Sequence, residues 1–377
     1  MILRIFTLLA FVSFFCSCTS NKKKSPDDNS LKVITLDPSA PQKNCKLSGI
    51  TDSVKVIKLE NKEEALLGRY PQLRHIDNQF AVFSEGEQDV VLVFDLEGKH
   101  LFTIADKGEG PKEYRSIEKV SVQNQKIYIV SSEKVLVYDF KGKQVAVRYH
   151  GRRGGDWQIL SENSWAFFPY QNYYSSNRKG VLFFDSAFNL LKTEASKSSE
   201  VLDKSYNISM HTSVQPKRFG DEWIYQGLFT DTLYHLTSQG SKPFALIKST
   251  VPQRGLLASV DLGERKKATA RGEMTRPFWS FGDRYCAVNY VVKNERIYSL
   301  IDFQTGEVLF HTNWKSSLDK FGLINDALKG AFFWPDYLEK DRMACLYSLE
   351  KLSDKQCEEL GVELEDNSVL VVAYLKK

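Results

Sequence analysis

The strongest constraint on this chain is a unit that repeats. In each copy an apolar run ends at a polar residue, a short loop follows, and a second run returns. The fullest copy spans residues 80–114, FAVFSEGEQDVVLVFDLEGKHLFTIADKGEGPKEY. Val91-Leu92-Val93-Phe94 is unbroken by polar residues, as in a strand covered on both faces. Asp95 to Lys99 supplies turn chemistry: the Asp carboxylate bonds amides ahead of it, and Gly98 takes the left-handed conformation of a bulged hairpin loop. His100 to Ile104 returns as the partner strand, and Gln79 to Ser84 reads as a strand before the hairpin.

Weaker copies follow. Val135 to Asp139 turns at Gly142 and returns through Val145 to Val147. Val181 to Asp185 turns through Ser186 to Asn189 into Leu190-Leu191. Thr232 to His235 turns at Gln239-Gly240, and Tyr298 to Asp302 turns at Thr305-Gly306 and returns through Val308 to Phe310. A last run, Val369 to Tyr374, has no returning partner. The first copies are spaced by about 44–50 residues, the length of one four-stranded propeller blade. The later steps are longer and require insertions. Six anchors predict an all-β fold: a six-bladed β-propeller of four-stranded antiparallel blades, with short helical insertions. A β-sandwich with coincidental hairpins is the alternative, but similar units at a steady period are what radial repetition produces.

Ser53 to Glu60 (SVKVIKLE) alternates as a strand and stands before the first full copy. Its natural place is beside Asn367 to Leu375, closing the ring and removing an open sheet edge. Pro252 to Thr275 breaks the β pattern with helix-favouring composition and reads as an insertion between the fourth and fifth blades, either a connector or a lid. Leu352 to Leu360 predicts a further short helix.

Residues 1–17 read as a signal segment: Arg4 precedes an apolar stretch, Ile5 to Phe15, too short to span a bilayer as a helix. Ser17-Cys18 resembles the lipobox of bacterial lipoproteins, in which the Cys is lipidated. An uncleaved anchor or a plain secretory signal are the alternatives. Residues 18–43 read as a disordered polar tether and residues 44–377 as the propeller. Lys22 to Lys24 precede Asp27-Asp28, which favours a membrane-anchored protein facing the periplasm over one displayed on the cell surface. The charges, 51 Lys and Arg against 47 Asp and Glu, are scattered along the chain. No basic footprint for nucleic acid results, and a monomer is expected. Cys45, Cys286, Cys345 and Cys357 lack CxxC spacing, so a zinc site is not indicated; one disulfide or free thiols both fit.

Taken together, these residues resemble the six-bladed β-propeller lipoproteins of Bacteroides-type bacteria, which look related to NHL repeats. Lys107 to Tyr114 is similar to that family's G-x-G-P-G-E-Y segment, with Lys112 in place of a glycine. Asn325-Asp326, Gly330 and Phe333-Trp334-Pro335 are similar to its N-D…G…F-W-P segment. The resemblance implies the fold; most such proteins have no assigned activity.

For chemistry, the channel of a propeller is where residues distant in sequence converge. Asn325, Asp326 and Trp334 are expected near the start of the sixth blade's innermost strand, and Arg74 and His75 on that of the first, as ligand-binding candidates. For Asn325-Asp326 an Asx turn is the alternative; for Arg74 and His75, a salt bridge or plain strand surface. A divalent cation could sit in such a channel. His75, His100, His150, His211, His235 and His311 show no metal-ligand spacing, and no GxSxG or HExxH is present. Gly108 to Tyr114 reads as an inter-blade turn, with Tyr114 opening the next inner strand, rather than a phosphate loop. Trp157, Trp165, Tyr170, Tyr173 and Tyr174 form an aromatic group, suited to core packing or to stacking on a sugar. Two function classes remain: a lipid-anchored module binding a protein, peptide or glycan, and a lactonase-like hydrolase or lyase with a channel metal. The scattered ligands of the second are not evident, which favours binding.

Overall fold

In the computed structural model, two strands, β1 (Lys32–Leu36) and β2 (Thr51–Lys58), precede the repeats. The structure describes residues 31–170, 179–195, 197, 216–220, 222–227, 230–252, 267, 270–275, 277–314, 321–329 and 331–376. The signal segment, Cys18, Tyr173, Tyr174, His211, Gly330 and most of the Pro252 to Thr275 insertion lie outside the described residues.

Blade one is β3 (Pro71–Ile76), β4 (Phe80–Glu85), β5 (Val90–Asp95) and β6 (His100–Ile104). Blade two is β7 (Lys119–Gln123), β8 (Lys126–Val130), β9 (Lys134–Asp139) and β10 (Gln144–Tyr149). Blade three is β11 (Gly155–Ser161), β12 (Ser164–Pro169), β13 (Lys179–Asp185) and β14 (Leu190–Ala195). Blade four is β15 (Lys217–Phe219), β16 (Glu222–Gln226), β17 (Thr232–Thr237) and β18 (Gly240–Ser249). Blade five is β19 (Phe278–Phe281), β20 (Tyr285–Val292), β21 (Glu295–Asp302) and β22 (Val308–Trp314). A separate hairpin, β23 (Leu323–Asn325) and β24 (Ala331–Phe333), precedes β25 (Tyr337–Glu339), β26 (Arg342–Tyr347) and β27 (Val369–Leu375) of blade six. Each blade is an antiparallel meander, and the six form a β-propeller.

β2 supplies the fourth strand of blade six. It pairs antiparallel with β27 from Thr51 opposite Leu375 to Lys58 opposite Val369. The ring therefore closes with strands from opposite ends of the repeat-bearing chain, as the orphan strand at Ser53 to Glu60 predicts.

The repeating run is the third strand of every blade, and its burial explains the lack of alternation. In β5, Val91 and Val93 pack towards blade two, against Val120, Ile127 and Ile129. Leu92 and Phe94 pack the other way, against Ile57, Leu370 and Val372 of blade six. A strand between two neighbouring blades has no solvent face. The polar residue that ends the run caps the loop. Asp95 Oδ1 accepts the amides of Glu97 and Lys99 at 3.0 and 2.8 Å, and Asp139 repeats this with Lys141 and Lys143 at 2.9 Å each. Asp185 and Asp302 do the same in blades three and five. In blade four the role passes to Thr237, whose Oγ1 accepts the amide of Gln239.

Two expectations are corrected. The tether expected over residues 18–43 is structured from Lys32: β1 adds to the outer edge of β18 in parallel, with Ile34 and Leu36 buried. Burial of alternate apolar residues outweighs the polar composition around them. Tyr114 does not open an inner strand; it plugs the contact between blades one and two, its hydroxyl donating to the carbonyls of Asp89 and Ile104, and β7 starts later. Trp157 and Trp165 belong to the core between blades two and three, packed with Phe167 and Phe184. The helix expected near Leu352 to Leu360 spans Asp354–Leu360, with a reciprocal cap between Ser353 and Gln356.

Candidate functional site

The six innermost strands, β3, β7, β11, β15, β19 and β25, surround a cavity of about 820 Å³ on the propeller axis. A second hollow of about 480 Å³ shares His75, Val122, Arg218, Tyr337 and Glu339 with it and extends to the loops after β3 and β7. Short inner strands with mixed polarity make this wall, and consecutive residues of β3 and β7 line it.

Arg74 and His75 stand on β3 and line the cavity, as their position in the first blade predicts. Arg74 Nε donates to Ser84 Oγ at 2.6 Å, and burial pulls the guanidinium's pKa down. No carboxylate pairs with Arg74 among the described residues. His75 Nε2 lies 3.4 Å from Asp77 Oδ2. Burial alone would raise the Asp77 carboxyl, but His75 and the amides of Gln79 and Phe80 outweigh it and hold it down at about 2.

Asn325, Asp326 and Trp334 lie elsewhere. The innermost strand of blade six is β25, which starts beyond them, and they belong to the β23–β24 hairpin and its flank. Asn325 is fully buried and accepts the amides of Ala327 and Leu328 at 3.1 and 3.2 Å, the Asx-turn role, while its amide donates to the Tyr347 hydroxyl. Asp326 accepts the amide of Ser48 at 3.1 Å and the Ser48 hydroxyl, which together lower its pKa against a small opposing effect of burial. Trp334 packs edge-on against Tyr298 in the core between blades five and six. Sequence spacing brought these three residues to the axis; the extra hairpin moves them off it.

The cavity wall holds charges that the sequence reading missed. On β7, Lys119 Nζ donates to the Gln158 side-chain oxygen at 2.7 Å. Burial pushes its pKa down to about 8; the Asp156 carboxylate works against that, while Lys217 and Arg74 add to it. Arg218 on β15 is engaged by Glu339 at 3.4 Å and lies over the Trp223 ring at 5.0 Å. Glu339 also accepts the Tyr337 hydroxyl. Glu118, just before β7, has its carboxyl pushed up by burial and by the nearby Asp156, with Arg153 opposing. A usable signal existed in the sequence: PQLRHI, KVSVQ and KRF each carry a cation in the first strand of a repeat.

Among the described residues no three His, Cys, Asp or Glu side chains gather as a metal-binding set. Cys45, Cys286, Cys345 and Cys357 are free thiols. His150 packs on Trp157 between blades two and three, while His235 meets Glu222 and His311 bonds Ser299 within their own sheets.

A family described as a domain of unknown function, DUF4934, matches residues 31–374. The chain belongs to the DUF4934 family. Its propeller is similar to a solved structure from Bacteroides fragilis described as a candidate exported protein, with 17% identity, 92% of this chain and 100% of that chain covered, and a TM-score of 0.67. It is also similar to a DUF4221-family structure from Bacteroides vulgatus, at 9% identity, 87% and 97% coverage and a TM-score of 0.50. At these identities the likeness concerns the fold. No curated protein sequence matches this DUF4934 chain.

Proposed function

We propose that this chain is a lipid-anchored, extracytoplasmic propeller that binds a ligand in its axial cavity without transforming it. The observation that carries this reading is the cavity itself. Side chains from all six blades meet there, and its volume of about 820 Å³ suits a small molecule or the end of a peptide or glycan. Export is supported by Ser17-Cys18 after an apolar leader, and by the description of the Bacteroides fragilis structure as a candidate exported protein. A metal-dependent hydrolase or lyase fits less well, because Arg74 and Lys119 line the cavity without an ion-pair partner and no three ligating side chains gather there among the described residues.

Two measurements test the proposal. Cys18→Ala should abolish labelling by a metabolically supplied fatty acid; labelling that survives places the anchor elsewhere. Glycan and peptide libraries presented to the full chain in detergent should yield a ligand that slows hydrogen exchange in β3 and β7 and is recovered intact. Protection confined to outer strands, or recovery of a cleaved ligand, would overturn the reading.

A further inference from the structure

We propose that the axial cavity holds an oxyanion, the carboxylate, sulfate or phosphate group of a small-molecule ligand, between Arg74 and Lys119. The inference rests on the axial cavity being the ligand site and adds the chemical class of what enters it.

Desolvated charges in folded proteins are ordinarily paired, since an unpaired one costs several times what a hydrogen bond returns. Here two cations on adjacent inner strands depart from that rule. Arg74 uses Nε on a serine hydroxyl, and no carboxylate faces the rest of its guanidinium among the described residues. Lys119 gives a hydrogen bond to Gln158, a neutral amide that is itself fully buried. β3 and β7 run side by side, and Lys217 on β15 bears on Lys119 as a like charge. Arg74 and Lys119 face the cavity with no ion pair of their own among the described residues, and they repel each other across it. An anion between them would offset that repulsion, and the open edge of Arg74 offers the planar fork that oxyanions accept.

The cavity also limits the size of that anion. Asp156 and Glu118 line the wall on the side of blades two and three. They would repel an extended polyanion and accept hydroxyl or ammonium hydrogens, so the fitting ligand has one compact anionic group on a polar body. Arg218 adds little, being engaged by Glu339 and Trp223.

The test is calorimetric titration of the full chain in detergent, at low ionic strength, with sulfate, phosphate, D-galacturonate and neutral D-galactose. At least one of the three oxyanions should bind and galactose should not. Arg74→Gln and Lys119→Met should each weaken binding about tenfold, the loss of one charge-assisted hydrogen bond. Lys141→Met, in an exposed turn, should change nothing. Unfolding midpoints separate binding loss from misfolding: Lys119→Met removes a half-buried charge that has no ion pair and should unfold no earlier than the parent. Oxyanions that give no heat, or that bind both variants as well as the parent, overturn the inference. A neutral ligand that protects β3 and β7 with unchanged affinity for Arg74→Gln would overturn it while leaving the axial reading intact. Protection of outer strands alone would remove both.

Discussion

Replacing Asn367 by Ala tests how the ring is held shut. Asn367 is buried just ahead of β27, and its side chain makes three hydrogen bonds to backbone across the seam. Its oxygen accepts the Leu67 amide at 2.8 Å, and its amide donates to the carbonyls of Glu60 at 2.7 Å and Ala65 at 2.8 Å. Alanine removes all three and leaves those backbone groups facing protein rather than water. At about 1 kcal/mol per hydrogen bond, and more for a group stranded without a partner, the loss should be about 3 kcal/mol. Asn367→Asp should cost at least as much at neutral pH, because a carboxylate still accepts from Leu67 but repels the two carbonyls. Urea unfolding followed by tryptophan fluorescence measures both. Asn61→Ala serves as the control: its amide reaches Asp366 on the exposed side of the same seam, so a change within about 0.5 kcal/mol is expected. A loss below about 1 kcal/mol for Asn367→Ala would refute the argument that the side chain staples the seam.

Two further outcomes follow from geometry and charge. Gly98 has φ of +89°, and a Cβ there would lie 1.9 Å from the Lys58 carbonyl oxygen, whereas Gly306 has φ of +79° and open space around it. Gly306→Ala should therefore cost about 1 kcal/mol from the left-handed backbone alone, and Gly98→Ala clearly more in the same denaturation assay; equal losses would discount the clash. Asp77, held at about 2, carries a depressed carboxyl, so its contribution is present above the unfolded value near 3.8 and is lost as pH falls towards 2. The contribution is about 2 kcal/mol. Asp77→Asn should flatten the acid limb of the stability profile between about pH 5 and 2, and an unchanged limb would assign it to other groups.

The third strand of each blade was legible because its apolar run, covered on both faces, ends at a capped polar turn; the second strands are as deeply buried but lack that punctuation. The innermost strands were not. β15, β19 and β25 are only three or four residues long, too short for periodicity to mark them as strands. β1 was hidden by its neighbours, although KVITL already alternates and buries Ile34 and Leu36. At the site, Arg74 and His75 were found because the first blade keeps the regular spacing. Asn325, Asp326 and Trp334 were misplaced because the β23–β24 hairpin lengthens the step into blade six. Lys119 passed unnoticed because a lysine opening a strand usually points to water, and only the closed ring turns it towards the axis.

The seam between β2 and β27 also sets an order of events. β2 precedes every repeat in the chain, and its partner β27 follows all the other described strands. Until β27 arrives, β2 has no strand to pair with. Blades one to five can form in that interval, but each intermediate keeps two unsatisfied edges and an exposed apolar face on blade one, where Leu92 and Phe94 await Leu370 and Val372. A chain cut short anywhere before Val369 never covers them. A truncated product thus leaves the inter-blade face of blade one open to proteases or chaperones, and closure of the ring covers it.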